Sequence, residues 1–371
     1  MALLPHGAAP LAGLAGLCAA GLLVAAPPQR LMALRLPAVL LAALLAWGAV
    51  SAGWAIDPGR SLVLDLRLLG LFAAALALAA AADRVAAPQR LIIFALAGTA
   101  LGAVLALADL FSLGGLSHYL TIRGFIAARL NQIAVWLALM ALPFGALTAA
   151  RTRPMFGLAT AAVMAAAVFL LDGTAAKTGL ALSLPAAALL YRRRTATARL
   201  FATLAVLAIV TAPLTLPRLE RLPALFAAAD QFKDSAGHRL LIWSFTGDRI
   251  AERPFLGWGL DSSRAIPGGS DEIRPAQNWL PLHPHDAALQ LWLELGAPGA
   301  ALFALIVGLL WWRVAEAPWP PLYAAAAGGS LAAALAVALA GWGIWQEWWL
   351  GTLALALFTV MVLARAGKPP E

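Results

Sequence analysis

Charge is scarce in this chain: Asp, Glu, Lys and Arg supply 12% of 371 residues and 62% are hydrophobic, whereas a soluble domain carries about 25% charged residues. An ordinary soluble globule is therefore excluded. Cysteine is almost missing. The single one, Cys18, rules out an intrachain disulfide, and inside an apolar run it reads as a small buried residue. There are five histidines; His6, His118 and His238 are scattered, leaving His283-Pro-His285 as the close pair. The helical H-E-x-x-H spacing does not occur, so the sequence offers no metal site. A Gly-rich phosphate loop and an Asp-x-Asp pair outside the membrane are also missing, so any phosphate chemistry rests on Lys and Arg.

What is there is apolar and long. Runs fall at about 9–26, 36–56, 62–82, 91–111, 131–150, 155–171, 178–191, 199–217, 297–312, 322–343 and 348–364. Runs of ~20 apolar residues mark membrane-spanning helices, because a spanning segment must satisfy its own backbone. A transmembrane barrel would alternate polar and apolar residues, and these runs do not. The fold class expected is an all-α polytopic membrane protein with about 11–12 transmembrane helices and one long loop domain. Residues 1–217 hold about eight spans, 218–285 the loop with short amphipathic helices, and 286–371 about three more. The short run at 178–191 is expected to extend back through Lys177, and 286–296 to lie at the interface before its span begins. No Lys or Arg precedes the first run, and Val24-Ala25-Ala26 is a weak cleavage site, so that run reads as a retained span.

Orientation follows from the basic residues. Thirteen of the 26 Lys and Arg, including Arg151, Arg192–Arg194, Arg313 and Arg365, sit in one set of alternate loops, and five in the other. The positive-inside rule puts the first set in the cytoplasm and the long loop outside. The Arg192–Arg194 run reads as a topology anchor on anionic lipid rather than a nucleic-acid site. Trp342, Trp345, Trp348 and Trp349 read as an interfacial belt, and Gln346-Glu347 as a solvated turn. The long loop carries eight basic and eight acidic residues, so it is no bulk trap for polyanions. Within it, 237–253 reads as an amphipathic helix ended by Pro254, Pro254-Phe-Leu-Gly257-Trp-Gly259 as a turn, and 260–281 as an irregular, partly mobile linker.

Polar chemistry gathers on the outer side: Arg129 and Asn131 at the start of one span, Lys177, Arg239 and Trp243 in the loop helix, and His283, His285, Asp286, Gln290 and Glu294 around the start of the ninth span. Ionisable groups at membrane depth mark functional paths by default. Each has a plainer reading: Lys177 and Arg129 as snorkelling interface residues, Arg239 as a surface charge, and the histidines as a cap region ahead of Asp286. Glu294, one turn inside an apolar helix, needs a partner.

These residues carry a resemblance. His285-Asp286, nine residues, then Gly296-Ala-Pro-Gly299 resembles the His-[Asn/Ser/Gln]-x9-Gly-x-x-Gly signature of the O-antigen ligases and related O-antigen polymerases. Arg239-x-x-x-Trp243 with Glu252-Arg-Pro254-x-x-Gly257-x-Gly259 is similar to the family's loop pattern, and Thr174-Ala-Ala-Lys177-Thr-Gly179 to its Ser-Arg-x-Gly element. Arg129-x-Asn131 matches an earlier element more weakly. Asp286 stands where an amide or hydroxyl is usual, and Lys177 where arginine is usual.

The resemblance implies a GT-C-like membrane glycosyltransferase in the bacterial inner membrane. Such an enzyme moves a glycan from undecaprenyl diphosphate to an acceptor hydroxyl, on lipid A–core in the ligases, at the periplasmic face, and works without nucleotide sugar, cofactor or obligatory metal. On that basis His285 is the expected general base, Arg239 and Lys177 the cations facing the leaving diphosphate, and Asp286 or Glu294 the group orienting the imidazole, unless Asp286 caps the following helix. Trp243, His283, Gln290, Arg129 and Asn131 are expected to line the substrates. One displacement with one base implies inversion. A polysaccharide polymerase, a protein O-oligosaccharyltransferase and a lipid-linked glycan flippase stay open; a flippase would show broken helices in paired internal repeats, which the sequence does not.

Overall fold

A computed structural model describes residues 7–25, 31–120 and 130–366; Arg129 lies outside them. Among the described residues the chain is helical, with α1 (Ala8–Ala25), α2 (Leu31–Ser51), α3 (Pro58–Ala81), α4 (Pro88–Phe111), α5 (Gly115–Leu120), α6 (Asn131–Arg151), α7 (Pro154–Leu170) and α8 (Thr174–Thr215). Then come α9 (Pro223–Phe232), α10 (Asp234–Glu252), a two-stranded antiparallel pair β1 (Glu272–Arg274) and β2 (Gln277–Asn278), α11 (Ala287–Glu316), α12 (Pro321–Ala338) and α13 (Glu347–Ala366). Eight of the helices are long and apolar enough to cross a membrane, and α1 and α7 are shorter apolar ones. The protein is an all-α, multi-pass membrane protein.

Two helices are broken. At Arg193 α8 leaves helical geometry (φ −141°, ψ 60°). Thr197 Oγ1 then donates to Leu189 O at 3.3 Å, although eight residues of straight helix would separate them by about 12 Å. The chain therefore doubles back, and the apolar runs at 178–191 and 199–217 are two crossings. In α11 the break is at Gly296 (φ 62°, ψ −159°), so 287–295 is a half-helix preceding the crossing proper.

α6 runs through the middle, with Ala134, Val135, Met140 and Phe144 at 0% exposure. Small residues let helices meet closely: a Cβ on Gly145 would lie 3.0 Å from Gly157 O of α7, and one on Gly179 3.0 Å from Ala333 O of α12. Such contacts replace the hydrophobic drive that lipid does not provide. The apolar faces of α1, α3, α4 and α7 remain exposed (Leu17, Leu66, Phe94, Leu158), as lipid contact requires.

At the arginine-rich end the basic side chains hold carbonyls that have no helical partner. Arg194 Nε donates to Val314 O at 2.7 Å and Nη1 to Trp319 O at 3.2 Å, closing the C-terminal end of α11. Arg365 Nη1 reaches Val85 O at 3.0 Å, and Arg151 Nη2 reaches Ala366 O at 2.9 Å. The lipid-anchor reading thus fails for Arg194, because its guanidinium is spent on backbone carbonyls. Three further expectations change. Cys18 is exposed on the outside of α1. Trp345, Trp348 and Trp349 are 6%, 5% and 1% exposed, packed inward rather than forming a belt, because the turn before α13 folds over the bundle. The 260–281 linker forms a 3-10 turn at Ser262–Ala265 and the β1–β2 pair, held down by the contacts described next.

Candidate active site

The loop after α10 plugs the break in α11. Three carbonyls at the end of the half-helix lack helical partners because Gly296 turns away. Leu293 O accepts from Trp258 N at 2.9 Å, Glu294 O from Gly259 N at 2.8 Å and Leu295 O from Trp47 Nε1 at 2.8 Å. In return Ala297 N donates to Pro254 O at 3.0 Å. A Cβ on Gly257 would sit 2.7 Å from Gly296 N and overlap the Glu294 carbonyl, and one on Gly296 would sit 2.8 Å from Gly257 N and overlap the Phe255 carbonyl. Both glycines also hold positive φ, a region other residues resist. The Pro-x-x-Gly-x-Gly and Gly-x-x-Gly elements are therefore two halves of one backbone joint.

Glu294, fully buried, fastens this joint. One carboxylate oxygen accepts from Gln290 Nε2 at 3.0 Å and from Ser263 Oγ, the other from Asp261 N at 2.8 Å and Trp345 Nε1 at 2.7 Å. Every partner is a donor, which suits an acceptor-only group. Gln290 continues the seam by accepting from Ile344 N at 2.9 Å. Loop, α11 and the α12–α13 turn are thereby held in one register.

The histidines sit on that platform. Asp286 is the N-cap of α11, its Oδ1 accepting from Leu289 N at 2.7 Å. Burial pushes its carboxyl up to about 7, against the opposing pull of backbone hydrogen bonds from Leu289 and Ala288, so near neutrality much of it carries a proton. His285 adopts a left-handed backbone (φ 58°), which costs about 1–2 kcal/mol and aims the ring at the α12–α13 turn. There Nδ1 meets Gly341 O at 2.7 Å. A carbonyl only accepts, so the proton is on Nδ1 and Nε2 keeps its lone pair. Burial lowers the His285 pKa to about 4, opposed by the Gly341 bond and assisted by Arg239 and His238. The expected value near 6.5 is thus replaced by a depressed one, and the orienting group is the Gly341 carbonyl rather than Asp286 or Glu294, whose oxygens are engaged elsewhere.

His283 stacks edge-on against His285, ring centroids 4.3 Å apart. Its pKa falls to about 3, through burial first and then the neighbouring charges of His285, Arg264 and Arg239. Its ring nitrogens lie 3.2 Å from the backbone N of His285 and of Gly343; a neutral imidazole keeps one N–H, so one of the two accepts. Arg239, on α10, donates from Nη1 to Ala340 O at 2.6 Å, one residue from the carbonyl holding His285; burial lowers its pKa. Trp243, one turn on, docks α10 to the histidine segment through Nε1 to Pro284 O at 2.9 Å.

Arg239, His283, His285, Gln290 and Glu294 therefore meet around residues 340–346, with Trp243 and Asp286 bonded to Pro284 and Leu289 on either side of His285. Lys177 lies on the first turns of α8, whose Ala175 approaches Gly341 (a Cβ there would be 3.5 Å from that of Ala175). Its ammonium makes no hydrogen bond or ion pair among the described residues. Asn131 borders Gly173 just before α8, its buried Oδ1 without a partner among the described residues. The Ala175–Gly341 approach puts this end of α8 beside the turn. No cluster of three or more His, Cys, Asp or Glu suited to a metal occurs among the described residues.

Sequence reasoning missed the turn at 340–346. Its contribution is mostly backbone, which no side-chain pattern announces. Gln346, read as solvated, instead places Nε2 3.3 Å from His283 Nε2 and accepts from Trp348 Nε1 at 2.8 Å.

Comparison with known proteins supports the family read from these motifs. Residues 159–304 match the model of the O-antigen ligase family; the span includes Lys177, Arg239, both histidines and Glu294, but not Asn131 or the 340–346 turn. A protein of Rickettsia conorii named "Putative polysaccharide ligase" is 35% identical over 134 residues, 34% of this chain and 32% of its own. Namesakes from Rickettsia typhi (34% over 136 residues, covering 35% and 33%) and Rickettsia bellii (30% over 135 residues, covering 35% and 33%) match similarly. The chain thus spans about a third of the length of the curated relatives it matches. No solved structure matches it.

Proposed function

With residues 159–304 matched to the O-antigen ligase family, we propose that this membrane protein transfers a glycan from a polyprenyl diphosphate, undecaprenyl diphosphate in a bacterial inner membrane, to an acceptor hydroxyl. The reaction takes place on the non-cytoplasmic face. The relatives' names favour ligase over polymerase; the acceptor proposed is lipid A–core, as the motif resemblance implies. The observation that carries the reading is His285: proton held on Nδ1 by Gly341 O, lone pair left on Nε2, and Arg239 anchored next door.

In the step proposed, the acceptor oxygen attacks the anomeric carbon as its proton passes to His285 Nε2. The bond from that carbon to the diphosphate oxygen breaks, and the diphosphate leaves toward Arg239 and Lys177, whose charges stabilise it without a metal. One displacement inverts the centre. Arg239 helps to depress the His285 pKa, so a diphosphate lying on that guanidinium offsets its field and strengthens the base once donor is bound. His285→Ala, assayed in membranes with protein level checked, is expected to lose transfer by about 10²–10⁴-fold. Undiminished transfer overturns the proposal.

A further inference from the structure

Beside His283 lies a cavity of about 760 Å³, within the ~300–1,000 Å³ typical of small-ligand sites. Its wall includes His283, Gln346 and three arginines, Arg60, Arg67 and Arg264. Two of these arginines come from α3, well outside the family-matched span. Asp261 and Glu347 are its acidic residues: Asp261 pairs with both Arg60 and Arg264 at 3.0 Å, and Glu347 with Arg67 at 3.0 Å. Three guanidiniums against two carboxylates leave one positive charge.

The arginines stay accessible, at 51% for Arg60, 62% for Arg67 and 37% for Arg264. Ion pairs with guanidiniums so exposed are weak, and a phosphate, with more acceptor oxygens than a carboxylate, suits the guanidinium fork. The cavity also has an apolar side. Val63 and Leu64 of α3 and Ala9 and Pro10 of α1 line it, and Val63 is 52% exposed on the lipid-facing side of α3. A ligand entering here has an anionic head and a membrane-embedded tail.

We infer that this cavity binds a phosphate-bearing glycolipid. Resting on the transferase reading, the ligand is the acceptor. The lining includes His283 but neither Arg239 nor Lys177, so an anionic group held here is separate from the leaving diphosphate assigned to those two cations. The acceptor therefore carries negative charge, and Arg67, whose ion pair among the described residues is with the exposed Glu347, is the arginine that changes partner on binding.

The test uses the full chain in phosphatidylcholine nanodiscs with radiolabelled diphosphoryl lipid A as probe. Competitors are the same lipid enzymatically dephosphorylated, and inorganic phosphate. Dephosphorylation is expected to weaken binding about tenfold or more, and Arg67→Gln or Arg264→Gln to abolish most of that preference. Glu347→Gln, which frees Arg67, is expected to tighten binding, an effect that structural damage would not produce. Equal affinity for both lipids, or a preference untouched by the arginine changes, overturns the inference. So does inorganic phosphate competing at the lipid's own concentration, which would make this a free-phosphate site. Binding needs no turnover: phosphate preference without glycan transfer would sink the transferase reading alone, and transfer without the preference would sink only the acceptor assignment.

Discussion

Replacing Gly296 with alanine tests the joint between the loop and α11. Its φ and ψ of 62° and −159° fall in a region open essentially to glycine, so a side chain there costs about 1–3 kcal/mol in strain. The new methyl would overlap the Phe255 carbonyl and lie 2.8 Å from Gly257 N. Both are backbone atoms that cannot rotate away, which adds about 1–3 kcal/mol of overpacking. Relief by shifting the loop would lengthen the Gly259–Glu294 and Ala297–Pro254 bonds, at about 1 kcal/mol each. These costs share one relaxation and do not simply add, so about 3–5 kcal/mol is expected. Gly70 has nothing within 4 Å of its Cβ position, and Gly70→Ala is the control. Apparent unfolding midpoints of the purified protein in detergent, together with steady-state levels in membranes, measure the difference. A Gly296→Ala protein with the control's midpoint and level would refute the interlock.

Asp286→Asn keeps an N-cap acceptor and mimics the protonated carboxyl, so stability and transfer should stay near wild type, while Asp286→Ala should cost about 1–2 kcal/mol; equal behaviour of the two variants would count against the cap. Transfer measured as kcat/KM reports the free protein. With His285 lowered to about 4, the imidazole imposes no loss between about pH 5.5 and 8, whereas an unshifted histidine would cost about tenfold by pH 5.5. The profile is best measured in Asp286→Asn, which removes the raised carboxyl next to His285. Linkage has the matching sign: stability contributed by the two lowered histidines is present above about pH 6.5 and is lost as pH falls through about 4 for His285 and about 3 for His283, whereas the raised Asp286 contributes below about pH 4 and loses that as pH rises through about 7. Glu294→Gln would turn an amide NH2 toward groups that all donate, for about 2–4 kcal/mol. An unchanged unfolding midpoint would show that the carboxylate does not hold the seam.

Sequence alone determined the class of molecule and the position of its crossings. Long apolar runs have few ways to satisfy a backbone in lipid, so the runs at 178–191 and 199–217 reappear as the two halves of α8. It also singled out His285 and Arg239 as candidates, because ionisable groups beside such runs are costly, and the fold places both against the 340–341 carbonyls. Roles were another matter. Glu294, expected to orient an imidazole, accepts four hydrogen bonds at the loop joint, and Asp286 caps its own helix. The imidazole is oriented by Gly341 O, a backbone carbonyl that carries no signature in the sequence. Arg60, Arg67 and Arg264 look like scattered surface charges until α3, the loop and α13 pack side by side. Periodicity and composition are properties of neighbours along the chain, while proton position, depressed basicity and a charged cavity depend on which distant atoms fill the last few ångströms around a group. Only tertiary packing decides those.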